Sequence, residues 1–391
     1  MNPVYGDLHI HVGKAQGRWV KIPTSKNLTS ENILEEAAQR KGLQLIGIVD
    51  VLSPWVDADW QQLLNEGRLR LLPGGGYRYE DALTLLPGAE IETAEADGSL
   101  AHTLLFLPSL EEIRQLRKLL TSHIRNLYLS SQNAHLSLAQ LLELTHPLEP
   151  IVIPAHVFTP HKSLFGCCTN RLTQMLPEKQ LAWLDAIELG LSSDTFLADC
   201  LQELSGYSFL SNSDAHSLDK IAREYNVFSL TQIDFTCFRQ ALRRQGENKI
   251  LANYGLDPRL GKYYRTVCTQ CGVLWDTGRN CCSACGSQRS TSGVWERIQA
   301  IADWENPHHP EHRPPYWHQI PLSFVPGLGP KAKTQLLQAF GSEMKVCHES
   351  SLTELTAVLG ERKAKNLWQV LQREITVAQG GGGCYGRVHL S

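Results

Sequence analysis

Two histidines near the start of the chain, His9 and His11, are two residues apart in a segment where apolar and polar residues alternate. Alternation is typical of a half-buried strand, and it directs both imidazoles to the same face. Two imidazoles on one face can bind a single metal ion. Taken alone, the motif is equally compatible with two hydrogen-bonded histidines on an ordinary strand.

Metal-binding residue types recur where later apolar segments end. These residues are Asp50, Glu90, His156, Asp214 and His216. His102 opens a further apolar segment, at residues 103–107. Individually they have ordinary explanations, since Asp50 could cap a turn and Glu90 could form an ion pair. Because the functional groups of α/β proteins collect at the carboxyl ends of strands, the recurrence predicts one metal cluster.

A cluster of this composition mixes imidazole nitrogens with carboxylate oxygens. Such ligands suit Zn, Mn, Fe or Mg and do not decide among them. A carboxylate such as Glu90 could bridge two ions, and Asp214 and His216, two residues apart, could join the same cluster. Two ions ~3.5–4 Å apart are a common device for hydrolysing phosphate esters, because one activates water while the other stabilises the leaving oxygen.

A second set of candidate ligands comprises Cys268, Cys271, Cys282 and Cys285, two Cys-x-x-Cys motifs separated by ten residues. Each motif turns tightly enough to direct two thiolates at one ion, and two motifs form a closed tetrahedral site typical of structural zinc. Cys281 could replace Cys282 as the fourth ligand. The alternative, four unligated thiols, is disfavoured by this spacing. A segment with so little core of its own would fold around the ion.

A third motif, towards the C-terminus, contains Gly327, Gly329, Lys331 and Lys333. It resembles a helix–hairpin–helix module, in which glycines let the backbone approach a phosphate and the following helix directs free N–H groups at it. From residue 321 onward, eight Lys or Arg stand against five Glu, a local net charge of +3. This local charge predicts a DNA-binding surface. A helical protein-interaction module is the alternative.

The elements that must position these residues alternate over the first 250 residues. Strand-like segments occur at 4–11, 44–50, 85–92, 102–107, 151–156, 185–189 and 207–211, and helix-like segments at 30–41, 110–124, 136–144 and 235–245. The alternation predicts an α/β fold with a largely parallel sheet. Thr29 or Ser30 is suited to cap the first helix, and Gly42 to end it.

The composition is that of a soluble globular protein: 391 residues, of which 42% are hydrophobic and 20% charged. The net charge of -3 gives no overall attraction to nucleic acid or anionic membranes. The first residues lack the basic and apolar regions of a signal peptide, and no apolar run approaches the ~18 residues that span a bilayer. We therefore expect a cytoplasmic protein, without membrane contact, whose cysteines are thiols or metal ligands.

Composition divides the chain into five expected regions. They are an α/β region at 1–250, a connector with the four cysteines at 251–300, a Pro- and His-rich linker at 301–319, a hairpin-containing helical domain at 320–378 and a tail at 379–391. We expect the linker to be an extended, semi-rigid spacer, although its four histidines could bind metal. The Gly-rich tail is expected to be flexible.

Taken together, the metal-binding motifs resemble the PHP (polymerase and histidinol phosphatase) domain. Longer runs, at 153–160, 188–194, 211–217, 255–258 and 260–263, are similar to the endonuclease Q family, and the similarity covers nearly the whole chain. The resemblance implies a distorted (β/α)7 PHP barrel, followed by a small four-cysteine zinc domain and a helical helix–hairpin–helix domain.

The resemblance also implies how two or three divalent metals (Zn, Mn or Mg) would be held. His9, His11, Glu90 and Asp214 would hold one, Glu90 and His156 with His102 a second, and Asp50 with His216 a third. PHP proteins often carry a histidine shortly after the residue matching Asp50, whereas Val51-Leu52-Ser53-Pro54 follow here. The third metal is therefore expected to be weak, water-coordinated or absent. Glu188 would orient a ligand or form an ion pair.

The implied activity is that of a metal-dependent DNA repair endonuclease, which nicks DNA on the 5′ side of deaminated bases (uracil, hypoxanthine, xanthine) or abasic sites. Phosphate contacts carry no sequence information, so specificity would come from a pocket for one flipped base. Lys262 and Tyr263 would contact DNA, or else pack between domains. The alternatives are a PHP-type exonuclease or small-phosphate phosphatase, and a DNA-binding adaptor with a vestigial barrel.

Overall fold

The computed structural model describes residues 2–276 and 278–390. Its strands are β1 (Val4–Ile10), β2 (Lys14–Ala15), β3 (Arg18–Trp19), β4 (Leu45–Ile48), β5 (Leu69–Leu71), β6 (Tyr77–Tyr79), β7 (Leu83–Ala94), β8 (Leu100–Phe106), β9 (Ile151–Pro154), β10 (Ala186–Glu188), β11 (Ser208–Leu210), β12 (Tyr225–Ser229), β13 (Lys249–Leu256), β14 (Val267–Cys268), β15 (Ser290–Thr291), β16 (Tyr316–Gln319), β17 (Ile375–Ala378) and β18 (Arg387–Leu390). Its α-helices are α1 (Ser30–Glu35), α2 (Pro54–Asn65), α3 (Leu110–Leu120), α4 (Leu138–Thr145), α5 (Glu178–Leu181), α6 (Thr195–Ala198), α7 (Phe235–Leu242), α8 (Val294–Ile301), α9 (Pro330–Phe340), α10 (Glu343–Glu349), α11 (Leu352–Leu359) and α12 (Glu361–Leu371).

The main sheet has ten strands in the order β16-β13-β12-β1-β4-β7-β6-β5, with β8 paired to β7 and β9 to β8. Strands β1, β4 and β7 are parallel neighbours. The pairs β1–β12, β7–β8 and β8–β9 are antiparallel. The α/β class is confirmed, but the expectation of a largely parallel sheet is wrong, because the direct β7–β8 connection makes an antiparallel pair where a helical crossover would make a parallel one.

Strands β10 and β11 form a separate parallel pair beside β9. The Asp185 N–H donates to the Val152 carbonyl oxygen at 2.9 Å, which links this pair to β9. An isolated bridge joins Ala215, after β11, to Ile10 at the end of β1. These contacts arrange β1, β4, β7, β8, β9, β10 and β11 in one succession, so segments distant in sequence meet at one end of the fold. Closure of a complete seven-stranded barrel stays a prediction.

The first helix shows how local sequence sets an element. The Thr29 side chain accepts a hydrogen bond from the Asn32 N–H, which makes Thr29 the N-cap. The helix continues as a π-helical turn over Glu36–Lys41 and ends at Gly42, whose φ of 79° is left-handed. Both expected boundaries of this helix are therefore present.

The four-cysteine segment leaves the main body and returns to it at neighbouring backbone positions. The Val294 N–H donates to the Tyr263 carbonyl oxygen at 2.8 Å, and the Trp295 N–H donates to that of Tyr264 at 3.0 Å. Beyond this segment, β16 pairs in parallel with β13 and so extends the main sheet. Because β13 spans Lys249–Leu256, the expected domain boundary at residue 250 falls inside this strand.

The expected linker at 301–319 is not a free spacer. The Arg313 guanidinium lies 2.7 Å from the fully buried carboxylate of Asp199, and the Arg313 side chain is only 2% exposed. Nδ1 of His309 lies 2.6 Å from the same carboxylate. This correction has a physical reason: a buried Asp199 requires charged or hydrogen-bonding partners, and the linker supplies them. Pro and His content alone could not reveal that demand.

The C-terminal helices pack against the main body. Nζ of Lys41 lies 2.9 Å from Glu343, and the Tyr225 hydroxyl lies 2.7 Å from Nε2 of His348. The expected flexible tail is also corrected, because β18 pairs with β17 in antiparallel register from Ile375–Leu390 to Ala378–Arg387. Within residues 2–276 and 278–390, no helix has the length and apolar character needed to cross a membrane.

Candidate active site

Three overlapping groups of side chains bring potential ligand atoms within 4.8 Å of one another in the described part of the chain. The groups are His9, His11 and Glu90; Glu90, His102 and His156; and His11, Asp214 and His216. Because Glu90 and His11 each belong to two groups, these seven side chains form one assembly, hereafter the His–carboxylate cluster. The structure therefore brings together all the expected ligands of the first two metals.

Glu90 lies at the centre of the cluster and directs its two oxygens to different histidines. Its Oε1 is 3.5 Å from Nε2 of His9, 3.5 Å from Nε2 of His156 and 2.7 Å from Nδ1 of His102. Its Oε2 is 3.6 Å from Nε2 of His11. A carboxylate facing two groups of nitrogens in this way is suited to bridge two ions.

Asp214 completes the cluster from the opposite side. Its Oδ1 is 3.6 Å from Nε2 of His9, 3.4 Å from Nε2 of His11 and 3.4 Å from Nδ1 of His216. Asp214 has φ 45° and His156 has φ 31°, a left-handed conformation uncommon for residues other than glycine. Strained backbone of this kind is concentrated at functional sites.

The hydrogen bonding of the buried imidazole nitrogens indicates whether these residues could bind a metal. Nε2 of His9 and Nε2 of His11 are buried and make no hydrogen bond, although carboxylate oxygens of Glu90 and Asp214 lie 3.4–3.6 Å away. A buried polar atom in that state costs about 1–3 kcal/mol. The opposite nitrogen of His9 lies 3.0 Å from Glu188, and that of His11 lies 3.1 Å from Asp50. Carboxylates on one nitrogen and an unpartnered second nitrogen are the arrangement of metal-binding histidines, so the residues fit divalent ions.

Asp50 lies beside the cluster, against His11, but belongs to none of the three groups. Its carboxylate accepts hydrogen bonds from the Val12 N–H at 2.6 Å and from the Ser130 hydroxyl, and it contacts His11 Nδ1. In the described residues His216 groups with His11 and Asp214 rather than with Asp50. Asp50 thus contacts the far nitrogen of a cluster histidine, as Glu188 does. Whether Asp50 and His216 also hold a third metal stays a prediction.

Opposite charges within the cluster stabilise one another. Burial disfavours the charged forms of Glu90 and Asp214, yet neighbouring cations outweigh burial and hold the pKa of each carboxyl well below its usual value. Burial also opposes the charged form of His9, but Glu188 and Asp214 raise its pKa well above the usual value. A histidine must lose that proton to bind a metal, so an ion that enters the cluster would release protons.

Lys21 is a cluster residue that motif analysis missed. Its Nζ lies 3.1 Å from Oε2 of Glu90 and 2.5 Å from the Ser131 hydroxyl, and its side chain is 11% exposed. The Ser131 hydroxyl also donates to Glu90. Lys21 follows β3 in a loop, so no strand-end pattern could have identified it. It places a fixed positive charge beside the central carboxylate.

A cavity of about 200 Å³ opens beside the cluster. Its walls include the cluster residues His156 and Asp214 together with three cations and two tyrosines: Lys220, Arg223, Lys262, Tyr263 and Tyr385. Nζ of Lys262 lies 5.0 Å from the centroid of the Tyr263 ring. The expected DNA contacts Lys262 and Tyr263 therefore line a cavity that reaches the cluster.

The four cysteines form a separate group. Sγ of Cys268 is 3.6 Å from that of Cys285, and Sγ of Cys271 is 3.5 Å from that of Cys282. Cys281 is exposed and outside the group, so Cys282 is the fourth member. Burial opposes the Cys268 thiolate, but the N–H groups of the next turn outweigh it and lower the pKa of Cys268 to about 6. Four thiol sulfurs at these distances fit one tetrahedral ion.

Two solved structures are similar to this chain over its full length. The lesion-specific endonuclease PfuEndoQ from Pyrococcus furiosus has a TM-score of 0.85 and 30% sequence identity, covering 100% of this chain and 96% of that one. An endonuclease Q bound to a 27-mer duplex substrate with an abasic lesion at the active site has a TM-score of 0.86 and 30% identity, covering 100% and 97%. The chain belongs to the endonuclease Q family.

Curated sequences extend this comparison. YqxK of Bacillus subtilis is 43% identical over 391 residues, which covers 99% of this chain and 100% of YqxK. MJ0043 of Methanocaldococcus jannaschii is 35% identical over 226 residues, covering 52% of this chain and 28% of MJ0043. No protein-family model matches the sequence. The endonuclease Q assignment therefore rests on full-length similarity in sequence and structure.

In this endonuclease Q chain the predicted hairpin is exposed. Gly327 has φ 80° and Gly329 is the N-cap of α9, with Pro330 in the first turn. A Cβ atom at Gly329 would meet nothing within 4 Å, so the backbone at this residue is uncovered on that side. Lys331 is exposed, while Nζ of Lys333 lies 4.0 Å from Asp219. Whether this hairpin binds DNA stays a prediction.

Proposed function

We propose that this chain is a metal-dependent DNA repair endonuclease that hydrolyses the phosphodiester bond on the 5′ side of deaminated bases (uracil, hypoxanthine, xanthine) or abasic sites. One observation supports this function above the others. The His–carboxylate cluster borders a cavity lined by Lys220, Arg223 and Lys262, in a chain whose full length is similar to an endonuclease Q bound to an abasic duplex.

The cluster residues would divide between two divalent ions, Zn, Mn or Mg. His9, His11, Glu90 and Asp214 would hold one ion, and Glu90, His102 and His156 the other. His216 could add to the first group, and we expect no separate third site on Asp50. When bound, the ions would lower the pKa of a water molecule and stabilise negative charge on the phosphate.

Other residues of the chain would prepare this site. Glu188 and Asp50 fix the ring orientations of His9 and His11, so the free nitrogens are held in place before any ion binds. Lys21 offsets the negative charge of Glu90 and so favours the approach of a phosphate. These are binding and positioning roles.

The cavity would receive one nucleoside rotated out of the duplex. Lys220 and Lys262 would attract the flanking phosphates, and the Tyr263 ring would stack on the base or the exposed sugar. Extrusion costs less for a damaged or missing base than for a paired one, which gives the selectivity a physical origin.

Two further contacts would hold the DNA and the fold. The hairpin at Gly327, Gly329, Lys331 and Lys333 would bind backbone phosphates without regard to sequence. Because Lys333 approaches Asp219, three residues after His216, the hairpin helix lies next to a cluster-bearing loop. The cysteine group would bind one structural zinc, which stabilises its segment.

The decisive experiment uses an end-labelled duplex with one internal deoxyuridine or one abasic site, and an undamaged duplex as control. We expect a single nick on the 5′ side of the lesion, which requires added divalent metal and is abolished by a chelator. A ladder of end products would instead indicate an exonuclease. Unchanged DNA-dependent activity in Asp214→Ala would indicate an adaptor with a vestigial barrel.

A further inference from the structure

The Gly-rich C-terminal segment, residues 379–386, lies along residues 259–267 as a strap. The Gly380 N–H donates to the Arg259 carbonyl oxygen at 2.7 Å, and the Gly386 N–H donates to that of Leu260 at 3.0 Å. Between them, the Gly383 N–H donates to the Lys262 carbonyl oxygen at 2.9 Å. Three main-chain bonds to one neighbouring segment fix the course of the strap.

Its glycines serve close approach of two backbones. A Cβ atom at Gly380 would lie 2.5 Å from the Gly261 carbonyl oxygen. A Cβ atom at Gly386 would lie 2.7 Å from the Arg259 carbonyl oxygen and would also clash with that of Ala378. Side chains would therefore push the strap away. The glycine content, from which we predicted flexibility, is what permits this tight packing.

The strap carries Tyr385 to the cavity beside the His–carboxylate cluster. The Tyr385 hydroxyl accepts a hydrogen bond from Nη1 of Arg223 at 2.9 Å. The buried Arg223 also donates from Nε to the Ser213 carbonyl oxygen at 2.8 Å and from Nη2 to that of Asp214 at 3.4 Å. One guanidinium thus connects the strap to the backbone of a candidate metal ligand.

This connection bears on a strained part of the backbone. Asp214 has φ 45°, which a residue other than glycine keeps only when its surroundings hold it there. Arg223 holds both peptide carbonyls around that position, and Tyr385 limits how far the guanidinium can turn. The strap therefore acts on the orientation of the Asp214 carboxylate without touching it.

We propose that the strap is a working part of the site, with Tyr385 as a positioning residue for Asp214 through Arg223 and its ring as a wall of the nucleoside cavity. This inference rests on the proposed function for its substrate, but the positioning role does not depend on which lesion is cleaved. The two roles are separable, because the hydroxyl serves the first and the ring serves the second.

The test compares Tyr385→Phe and Tyr385→Ala in the full-length, metal-loaded chain. For Tyr385→Phe we expect about 10-fold weaker retention of a cluster metal against a chromophoric chelator, and about 10-fold lower kcat on an abasic duplex with unchanged KM. For Tyr385→Ala we expect the same losses and a raised KM. His389→Ala, an exposed change on β18, is the matched control and should behave as wild type.

The outcomes separate this inference from the proposed function. Wild-type metal retention and kcat in Tyr385→Phe would overturn the positioning role. A lower melting temperature with unchanged metal retention would also overturn it, since that result reveals a merely structural contact. If the wild-type chain nicks no lesion-bearing duplex, the proposed function fails, and chelator competition still decides whether Tyr385 acts on the metal site.

Discussion

The two candidate metal clusters of this chain are built in opposite ways. The His–carboxylate cluster collects side chains from His9 to His216, carried on β1, β7 and β8 and on the loops after β1, β9 and β11. The cysteine group draws its four members from residues 268–285 alone. In the first cluster, ligand geometry depends on the packing of the whole fold. In the second, two tight turns are sufficient.

Their surroundings differ in the same sense. Two histidines of the first cluster are held by other side chains, Glu188 and Asp50, and Lys21 lies against its central carboxylate. The cysteine group receives backbone N–H groups instead. The metal affinity of a site held by side chains can be adjusted by substitutions that touch no ligand. A site held by backbone N–H groups offers no such side chains, so its affinity depends on the ligands themselves.

Removal of the Glu90 carboxylate, at the centre of the His–carboxylate cluster, should have the largest effect on activity. We expect Glu90→Gln to lower the nicking rate by roughly 10³-fold or more, because charge stabilisation by bound metal contributes several kcal/mol. Elemental analysis should find the cluster metals depleted and the cysteine-bound zinc unchanged. Asp97→Asn, an exposed carboxylate outside both clusters, is the control. A content below one zinc per chain in Glu90→Gln would mean that the cysteine group also lost its ion, which would refute the independence of the two clusters.

Substitution of an orienting side chain should cost less. Glu188→Gln keeps a group of similar shape beside Nδ1 of His9 but removes the negative charge that raises the pKa of His9. We expect a 10–100-fold loss of activity or of metal affinity, measured by titration of the metal-free chain. An unchanged metal affinity and rate would mean that the packing around His9, and not Glu188, sets its orientation.

The cysteine group provides the converse test. We expect Cys268→Ser to lose one zinc per chain and to loosen only its own segment, with about 10-fold or smaller loss of nicking. Hydrogen exchange should rise in residues 266–292 and stay unchanged in β1, β4 and β7. Cys281→Ser, the exposed neighbour outside the group, should retain zinc. Equal zinc loss in both variants would show that the fourth ligand is misassigned.

Substitution of Glu224, a buried carboxyl that belongs to neither cluster, should have the smallest effect on activity. Burial raises the pKa of Glu224 to about 8, although the Leu256 N–H donates to it at 2.7 Å. Between the ordinary carboxyl pKa and pH 8, the folded chain therefore keeps a proton on Glu224 that the unfolded chain has released. The contribution of Glu224 to stability is full in acid, below that ordinary pKa, and declines as the pH rises to 8.

Glu224→Gln should remove that decline. Urea unfolding at pH 5.5 and 7.5 should give a free energy of unfolding that falls less with pH in the variant, by up to about 3 kcal/mol over this interval. Nicking should stay unchanged at pH 7. Identical pH dependence in the two proteins would mean that Glu224 is ionised in the folded state.

The sequence predicted most where chemistry is local. The Cys-x-x-Cys spacing identified the cysteine group, and the recurrence of metal-binding residue types where apolar segments end identified His9, Glu90 and Asp214. Glu90 nevertheless lies inside β7, four residues before its end, and not at a strand end as expected. Sequence alone could not assign Asp50. Whether a carboxylate binds an ion or orients a histidine depends on about one ångström of placement, and residue type is the same in both roles.

Long-range packing set the limits of prediction. Lys21 reaches the cluster from the loop after β3, and Tyr385 reaches its cavity from the segment between β17 and β18. Neither position has a periodic signal. Glycine content was interpreted as flexibility, although at Gly386 it reflects backbone contact. Composition indicates how a segment behaves in isolation, whereas here the contacts with a neighbouring segment determine its conformation.

The hydrogen bonds from Val294 to Tyr263 and from Trp295 to Tyr264 have an evolutionary consequence. They make the cysteine segment an insertion with adjacent ends, so related chains can lengthen, exchange or lose it without cutting a strand of the main sheet. The cysteine segment and the body that carries the His–carboxylate cluster can then diverge at different rates, so that changes in the segment leave the cluster unaltered.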